Sequence, residues 1–292
     1  MFSGVYTALI TPFKDGKIDY ASLERIIEFQ VQSGVAGIVS MGTTGESPTI
    51  PHDEHIEIIK KTAEIIKGRI HLMAGTGSNS TSEAIHLSER AQKAGADSVL
   101  LVNPYYNKPS QKGMIEHFAA ISNSVDVPVV LYNIPGRTVV NFLPESVLEL
   151  SSRAKNLCGV KEASGDITQM MRLIEICGDK IDVLSGDDSL LLPLLSVGGK
   201  GVVSVLSNIL PSLVVEVVRL FEDEKHSEAR ALFYKLLPLA RSMFVETNPI
   251  PIKAVMAKAG WCSPDVRLPL TELPAEKLAD IVKLFEKSGE KI

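Results

Sequence analysis

The chain has 292 residues, 45% of them apolar, and a formal net charge of −5 spread along its length. That is enough apolar material for one large α/β domain with a small appendage, and it excludes wholesale disorder and a basic nucleic-acid footprint. No run of about twenty apolar residues predicts a membrane span. Met1-Phe2-Ser3-Gly4 lacks the charged region and cleavage site of a secretory signal, and three scattered cysteines fit neither a disulfide framework nor a zinc site, so a cytoplasmic protein is expected.

Short β-branched runs alternate with amphipathic stretches. Strands are predicted to begin near Val5, Ala36, Ile70, Asp97, Pro128, Leu157, Ile181 and Gly201. Helical spacing covers Ser22 to Ser33, His52 to Lys67, Ser82 to Ala94 and Gln111 to Ser124. Glycines follow several helices, at Gly34, Gly68, Gly95 and Gly178, where left-handed caps are expected. Strands alternating with helices imply a parallel sheet, and eight such units match a closed (β/α)8 TIM barrel. A doubly wound open sheet is the second architecture. Its glycine fingerprint fails in Gly75-Thr76-Gly77-Ser78-Asn79-Ser80, where Ser80 stands in place of the third glycine. The phosphate-loop pattern is likewise absent around Gly198-Gly199-Lys200-Gly201. After about Asp223 only helices are predicted: His226 to Phe244, Pro251 to Lys258 and Pro274 to Lys287. The expected division is a barrel catalytic domain over 1–224 and a C-terminal helical domain over 225–292. Leu232, Leu236, Leu239 and Met243 read as packing residues of that appendage.

In such a barrel the active site lies at the carboxyl ends of the strands. Polar residues should cluster there, and they do. The second strand ends in Gly42-Thr43-Thr44-Gly45-Glu46-Ser47 and the fourth in Asn103-Pro104-Tyr105-Tyr106-Asn107. The fifth ends in Tyr132-Asn133 and continues into Pro135-Gly136-Arg137-Thr138. The sixth ends in Lys161-Glu162 and the seventh in Ser185-Gly186-Asp187-Asp188.

Lys161 terminates the apolar run Leu157-Cys158-Gly159-Val160. Burial there pushes a lysine toward its neutral amine, the nucleophile that attacks carbonyl carbon. The plain alternative is a lysine reaching into solvent or pairing with Glu162. Alternation weakens it: Leu157, Gly159 and Lys161 share one face, Cys158, Val160 and Glu162 the other. Tyr132 offers a phenol that can relay a proton, or a simple aromatic cap on the barrel core. Thr43 and Thr44 suit a carboxylate or a proton relay, but also an ordinary tight loop. Arg137 could fork onto a substrate carboxylate or face solvent. His52 and His55 lie one turn apart, a spacing that argues against a metal, and Asp187-Asp188 reads as a helix cap rather than a ligand pair.

Taken together these segments resemble the dihydrodipicolinate synthases, from Phe2 to about Pro269. Gly159-Val160-Lys161-Glu162-Ala163, Leu184-Ser185-Gly186-Asp187-Asp188 and Asn248-Pro249-Ile250-Pro251-Ile252-Lys253 carry the likeness with the rim segments above. The resemblance implies a lyase of lysine and diaminopimelate biosynthesis that needs no cofactor and no metal. Lys161 would form an imine with pyruvate, whose enamine attacks L-aspartate 4-semialdehyde. Tyr132 would relay protons, linked by Thr43 to a second tyrosine, Tyr106, arriving from a neighbouring subunit. Thr44 would hold the pyruvate carboxylate by its backbone, Arg137 would steady the semialdehyde, and Gly186 and Val203 would contribute backbone near pyruvate. The resemblance further implies a homotetramer, a dimer of tight dimers. It places a possible L-lysine effector site at Ser47, His52, His55, Asn79, Glu83 and Tyr105. Pro48 departs from the pattern, standing where a small residue is common; its ring removes a backbone donor.

Three other readings compete. Another pyruvate-dependent lyase, such as N-acetylneuraminate lyase or a keto-deoxy sugar acid aldolase, would share Lys161 and Tyr132. A phosphate-handling barrel is suggested by Gly198-Gly199-Lys200-Gly201. A non-catalytic binding barrel would be expected to lack Lys161 or Tyr132.

Overall fold

The computed structural model describes residues 1–292. Eight strands form the barrel: β1 (Gly4–Ala8), β2 (Gly37–Ser40), β3 (His71–Gly75), β4 (Ser98–Val102), β5 (Val129–Asn133), β6 (Leu157–Glu162), β7 (Asp182–Ser185) and β8 (Gly201–Ser204). Each pairs in parallel with its sequence neighbour, and β1 closes on β8 through Gly4 opposite Gly201. That closure needs a glycine: Gly201 has φ +149°, and a Cβ there would collide with the Gly4 carbonyl. A two-residue hairpin, Phe13–Lys14 with Lys17–Ile18, was not expected from the sequence.

Helices α1 (Tyr20–Gln32), α2 (His52–Ile66), α3 (Thr81–Lys93), α4 (Gln111–Ser122), α5 (Pro144–Ser151), α6 (Ile167–Cys177), α7 (Leu191–Ser196) and α8 (Pro211–Glu222) follow the strands in turn. Their starts are locally encoded. The Asp19 carboxylate accepts from Ser22 N at 3.0 Å ahead of α1, and the Asp166 carboxylate accepts from Thr168 N at 2.8 Å ahead of α6. Gly34, Gly68 and Gly95 take positive φ as expected, but Gly178 does not, with φ −59°. Gly178 is instead demanded by space, because a Cβ would strike the Ile174 carbonyl.

Alternation along the strands sorts apolar residues into two cores. Inside the barrel lie Phe2, Tyr6, Val39, Met73, Leu100, Val130, Tyr132, Leu184 and Val203. Between strands and helices lies a larger layer, and it runs on into α9 (His226–Ser242), α10 (Ile250–Lys258) and α11 (Ala275–Ser288) through Leu236, Leu239, Met243, Ile252, Ile281 and Phe285. Each such side chain contributes about 1.5–3 kcal/mol when fully buried.

One face assignment fails. The register between β5 and β6 slips between Val129 and Val130, which pair with Leu157 and Gly159. Cys158 is the extra residue of this bulge. Leu157 therefore joins the outer layer, while Cys158 packs against the barrel interior, the reverse of simple alternation. Above the bulge the alternation resumes, so Lys161 points inward.

Candidate active site

Lys161 stands at the carboxyl end of β6, 6% exposed, directly beside Tyr132 of β5. Its Nζ lies 3.9 Å from the centre of the Tyr132 ring, against the ring face. Burial presses the Lys161 amine down to about 7, opposed by the Asp188 charge and assisted by Arg137. A lysine in that range supplies uncharged amine at neutral pH. Burial raises the Tyr132 phenol, while Arg137 and the neighbouring Thr43 side chain lower it. Gly186 makes room for this lysine: a Cβ there would press on the Lys161 stem at 3.2 Å and on Ala163. Val203 fills the barrel interior below.

The loop after β2 forms the next wall. Thr44 is buried, and its hydroxyl accepts from Asn248 Nδ2 at 2.9 Å. Arg137, exposed at the mouth, donates through Nη2 to the Asn248 backbone carbonyl at 3.2 Å. Asn248 thus ties Thr44 to Arg137, and the chain leading into α10 becomes part of the rim. In the sequence Asn248 stands only within the matching segment Asn248 to Lys253, and nothing there points to this bridge beyond its place in a proline-rich stretch between helices.

From Thr43 and Arg137 a cavity of about 340 Å³ runs outward past Ser47, Pro48, Ile134, His52, His55, Glu83 and Tyr105. His52 Nε2 lies 2.8 Å from Glu83 Oε1, and the Ser78 hydroxyl donates to the other Glu83 oxygen. The His55 ring, buried, meets the Gly75 carbonyl at 2.8 Å, and desolvation presses its pKa down to about 4. Asn79 donates to the Tyr105 backbone carbonyl at 3.1 Å. The structure therefore brings five of the six candidate effector residues to one cavity wall, with Asn79 behind Tyr105. Tyr106 stands apart from its own chain's site, 89% exposed, at φ +71°.

Of the two aspartates after β7, only Asp187 caps, accepting from Ser189 N at 2.7 Å. Asp188 is buried and accepts from the Ser204 hydroxyl, from Val205 N at 2.9 Å and from Leu206 N at 3.2 Å. It locks the end of β7 to the end of β8, which corrects its reading as a cap. Burial raises its carboxyl above the usual range, against those hydrogen bonds. No group of three or more His, Cys, Asp and Glu side chains is placed to hold a metal ion, and no helix is long and apolar enough to cross a membrane.

The family model described as the dihydrodipicolinate synthetase family matches residues 1–288. A protein of Leptospira biflexa serovar Patoc named 4-hydroxy-tetrahydrodipicolinate synthase is 55% identical over 293 residues, covering 99% of each chain. The solved structure of the 4-hydroxy-tetrahydrodipicolinate synthase of Methylacidiphilum fumariolicum SolV superposes with a TM-score of 0.97 at 47% identity, over 99% of this chain and 96% of that one. A dihydrodipicolinate synthase of Cyanidioschyzon merolae, solved with lysine bound, superposes at 0.95 with 39% identity over 99% of this chain and 98% of that one.

Proposed function

Because the chain belongs to the dihydrodipicolinate synthetase family, we propose that it is a 4-hydroxy-tetrahydrodipicolinate synthase, a lyase that joins pyruvate to L-aspartate 4-semialdehyde. One observation carries the reading: a buried lysine amine, pressed down to about 7, lies against a buried tyrosine at the mouth of a closed barrel.

The Lys161 amine attacks the keto carbon of pyruvate, and water leaves to give an imine. Loss of a methyl proton makes the enamine, whose carbon bonds to the aldehyde carbon of the second substrate. The amino group of that substrate then attacks the imine carbon, closes the ring and releases Lys161. Tyr132, adjoining Thr43, carries protons between these steps. Thr44 holds the pyruvate carboxylate through its backbone, and the Gly186 and Val203 backbone lies alongside. Arg137, at the mouth, takes the carboxylate of the semialdehyde. The reaction belongs to lysine and diaminopimelate biosynthesis in the cytoplasm.

Tyr106, almost wholly exposed in the single chain, enters a neighbouring subunit's site in a homotetramer of two tight dimers. Residues 1–224 form the catalytic barrel and 225–292 the helical domain. L-Lysine binds as an effector at Ser47, His52, His55, Asn79, Glu83 and Tyr105. The lysine-bound relative supports this, and so does the continuous cavity from Thr43 to Glu83.

Borohydride added with pyruvate is expected to fix a three-carbon adduct on Lys161, located by peptide mass spectrometry. Adduct on another lysine, or none, overturns the mechanism; cleavage of a sugar acid in place of semialdehyde consumption moves the chain to the sugar-acid lyases.

A further inference from the structure

Two residue pairs run side by side at the ends of β5 and β6. Tyr132 is paired with Lys161, and one step further Asn133 is paired with Glu162. The first pair faces the barrel interior and the second faces away. Glu162 is 1% exposed, and its oxygens act only as acceptors. One accepts from Ser164 N at 2.6 Å; the other accepts from Asn133 Nδ2 at 2.9 Å and from Gln169 Nε2 at 3.1 Å. All three donors are neutral, so this carboxylate sits in the interior on hydrogen bonds alone, a costly arrangement that leaves no donor to spare.

The network extends well beyond Glu162. Asn133 Oδ1 accepts from Asn103 Nδ2 at 2.7 Å and from Phe142 N at 3.0 Å. Asn133 Nδ2 also donates to Asn141 Oδ1 at 2.8 Å, and the amides of Asn141 and Gln169 exchange bonds at 2.8 and 3.0 Å. One set of side chains therefore joins the ends of β4, β5 and β6, the first turn of α6, and the chain just after the Arg137 turn. Its polarity is fixed at both ends. Glu162 can only accept and Phe142 N can only donate, so the Asn133 amide has a single workable orientation.

We infer that Glu162 is a positioning residue, which acts through Asn133 to hold Lys161, Tyr132 and the Arg137 segment in mutual register for the condensation proposed above. The inference rests on that reading and concerns residues it does not use. In Glu162→Gln, the oxygen that keeps the Ser164 bond leaves an NH₂ group facing the NH₂ groups of Asn133 and Gln169. Either Asn133 turns or the strand ends part, and a misplacement of about 1 Å can cost roughly 10²-fold in rate.

The test uses the full-length protein. Glu162→Gln is expected to lower kcat roughly 10- to 100-fold while KM for pyruvate moves much less, with borohydride still trapping pyruvate on Lys161. Adding Asn133→Asp moves the charge one residue across the pair, and a joint turn of the Asn141 and Gln169 amides then sets every donor against an acceptor. The double variant is expected to recover kcat roughly tenfold over the single one, a rescue that loss of packing cannot produce. Unchanged kcat in folded Glu162→Gln, or no recovery in a folded double variant, overturns the inference. Should Glu162→Gln fail to fold, half-buried Gln169→Ala removes one donor, and a several-fold lower kcat supports the inference while a normal kcat overturns it. Wild-type protein run alongside separates the two claims: absence of its pyruvate adduct defeats the imine mechanism, whatever the variants do.

Discussion

Lys161 and Lys253 are both withdrawn from solvent, 6% and 0% exposed, yet their surroundings differ in one respect. Lys253, on α10, has a carboxylate in contact: its Nζ lies 2.7 Å from Glu46 Oε1 and 4.1 Å from the Phe13 ring centre. Lys161 has an aromatic ring in contact, and the nearest acidic influence, Asp188, is already committed to three other donors. Burial lowers both amines; at Lys253 the Glu46 charge and hydrogen bond push back. Burial alone therefore does not make a nucleophile. Where a carboxylate is in contact, the buried amine is a crosslink between the loop after β2 and the C-terminal helices. Where none is, the amine sheds its proton near neutrality and can react.

The two lysines differ most in what each does for stability. Lys253→Met leaves Glu46 buried without its cation, and unfolding in urea is expected to show a loss of roughly 3–5 kcal/mol. Lys253→Met with Glu46→Gln should regain most of it. Lys161→Met has the opposite sign. The folded amine titrates near 7 and the unfolded one at 10.5, so the unfolded chain binds the extra proton between those values. Lys161 therefore weakens the fold at pH 7, and Lys161→Met should hold or raise stability while turnover vanishes. A large loss of stability in Lys161→Met, or none in Lys253→Met, would erase the distinction.

Next in size is the ring under Lys161. Tyr132→Phe keeps the face that the amine lies against and removes only the hydroxyl. Turnover is expected to fall roughly 10²-fold, about 2.7 kcal/mol, with the melting temperature unchanged. Near-normal turnover would reduce Tyr132 to a packing surface, the role Phe13 plays for Lys253.

The two lysines were unequally legible. Lys161 could be found because an apolar strand ending in a cation contradicts its own surroundings, and that contradiction is local. Lys253 sits 207 residues from Glu46, and nothing in either segment points to the other. The eight strands and most helix ends were readable for the same local reason, since apolar spacing and caps are written within a few residues. The face of Leu157 was not, because a bulge adds one residue without altering composition. Alternation turns Glu162 away from Lys161, and the strand pairing agrees. Its side-chain partners Asn133 and Gln169 come from separate segments, so a lost ion pair is all that alternation can show. Asn248 and Asp188 were hidden likewise: hydrogen bonds between rim loops follow closure of the barrel and leave no periodicity in the chain.

The smallest expected effect is also the sharpest separation of the two lysines. With the Lys161 amine near 7, kcat/KM for pyruvate should rise with pH through about 7 and level off above it, as protonated amine gives way to nucleophile. Asp188→Asn removes the charge that favours the protonated form, so the limb should move to lower pH. Lys253→Met should leave it in place. Unfolding does not explain such a limb. His55 and His117 are both pressed down to about 4 by burial, against 6.5 in the unfolded chain. Their share of stability is complete above 6.5 and is lost as pH falls toward 4, below the activity limb. Protein held at pH 6 and returned to pH 8 should therefore regain full rate at once. A slow or partial return would assign the limb to the histidines and take it away from Lys161.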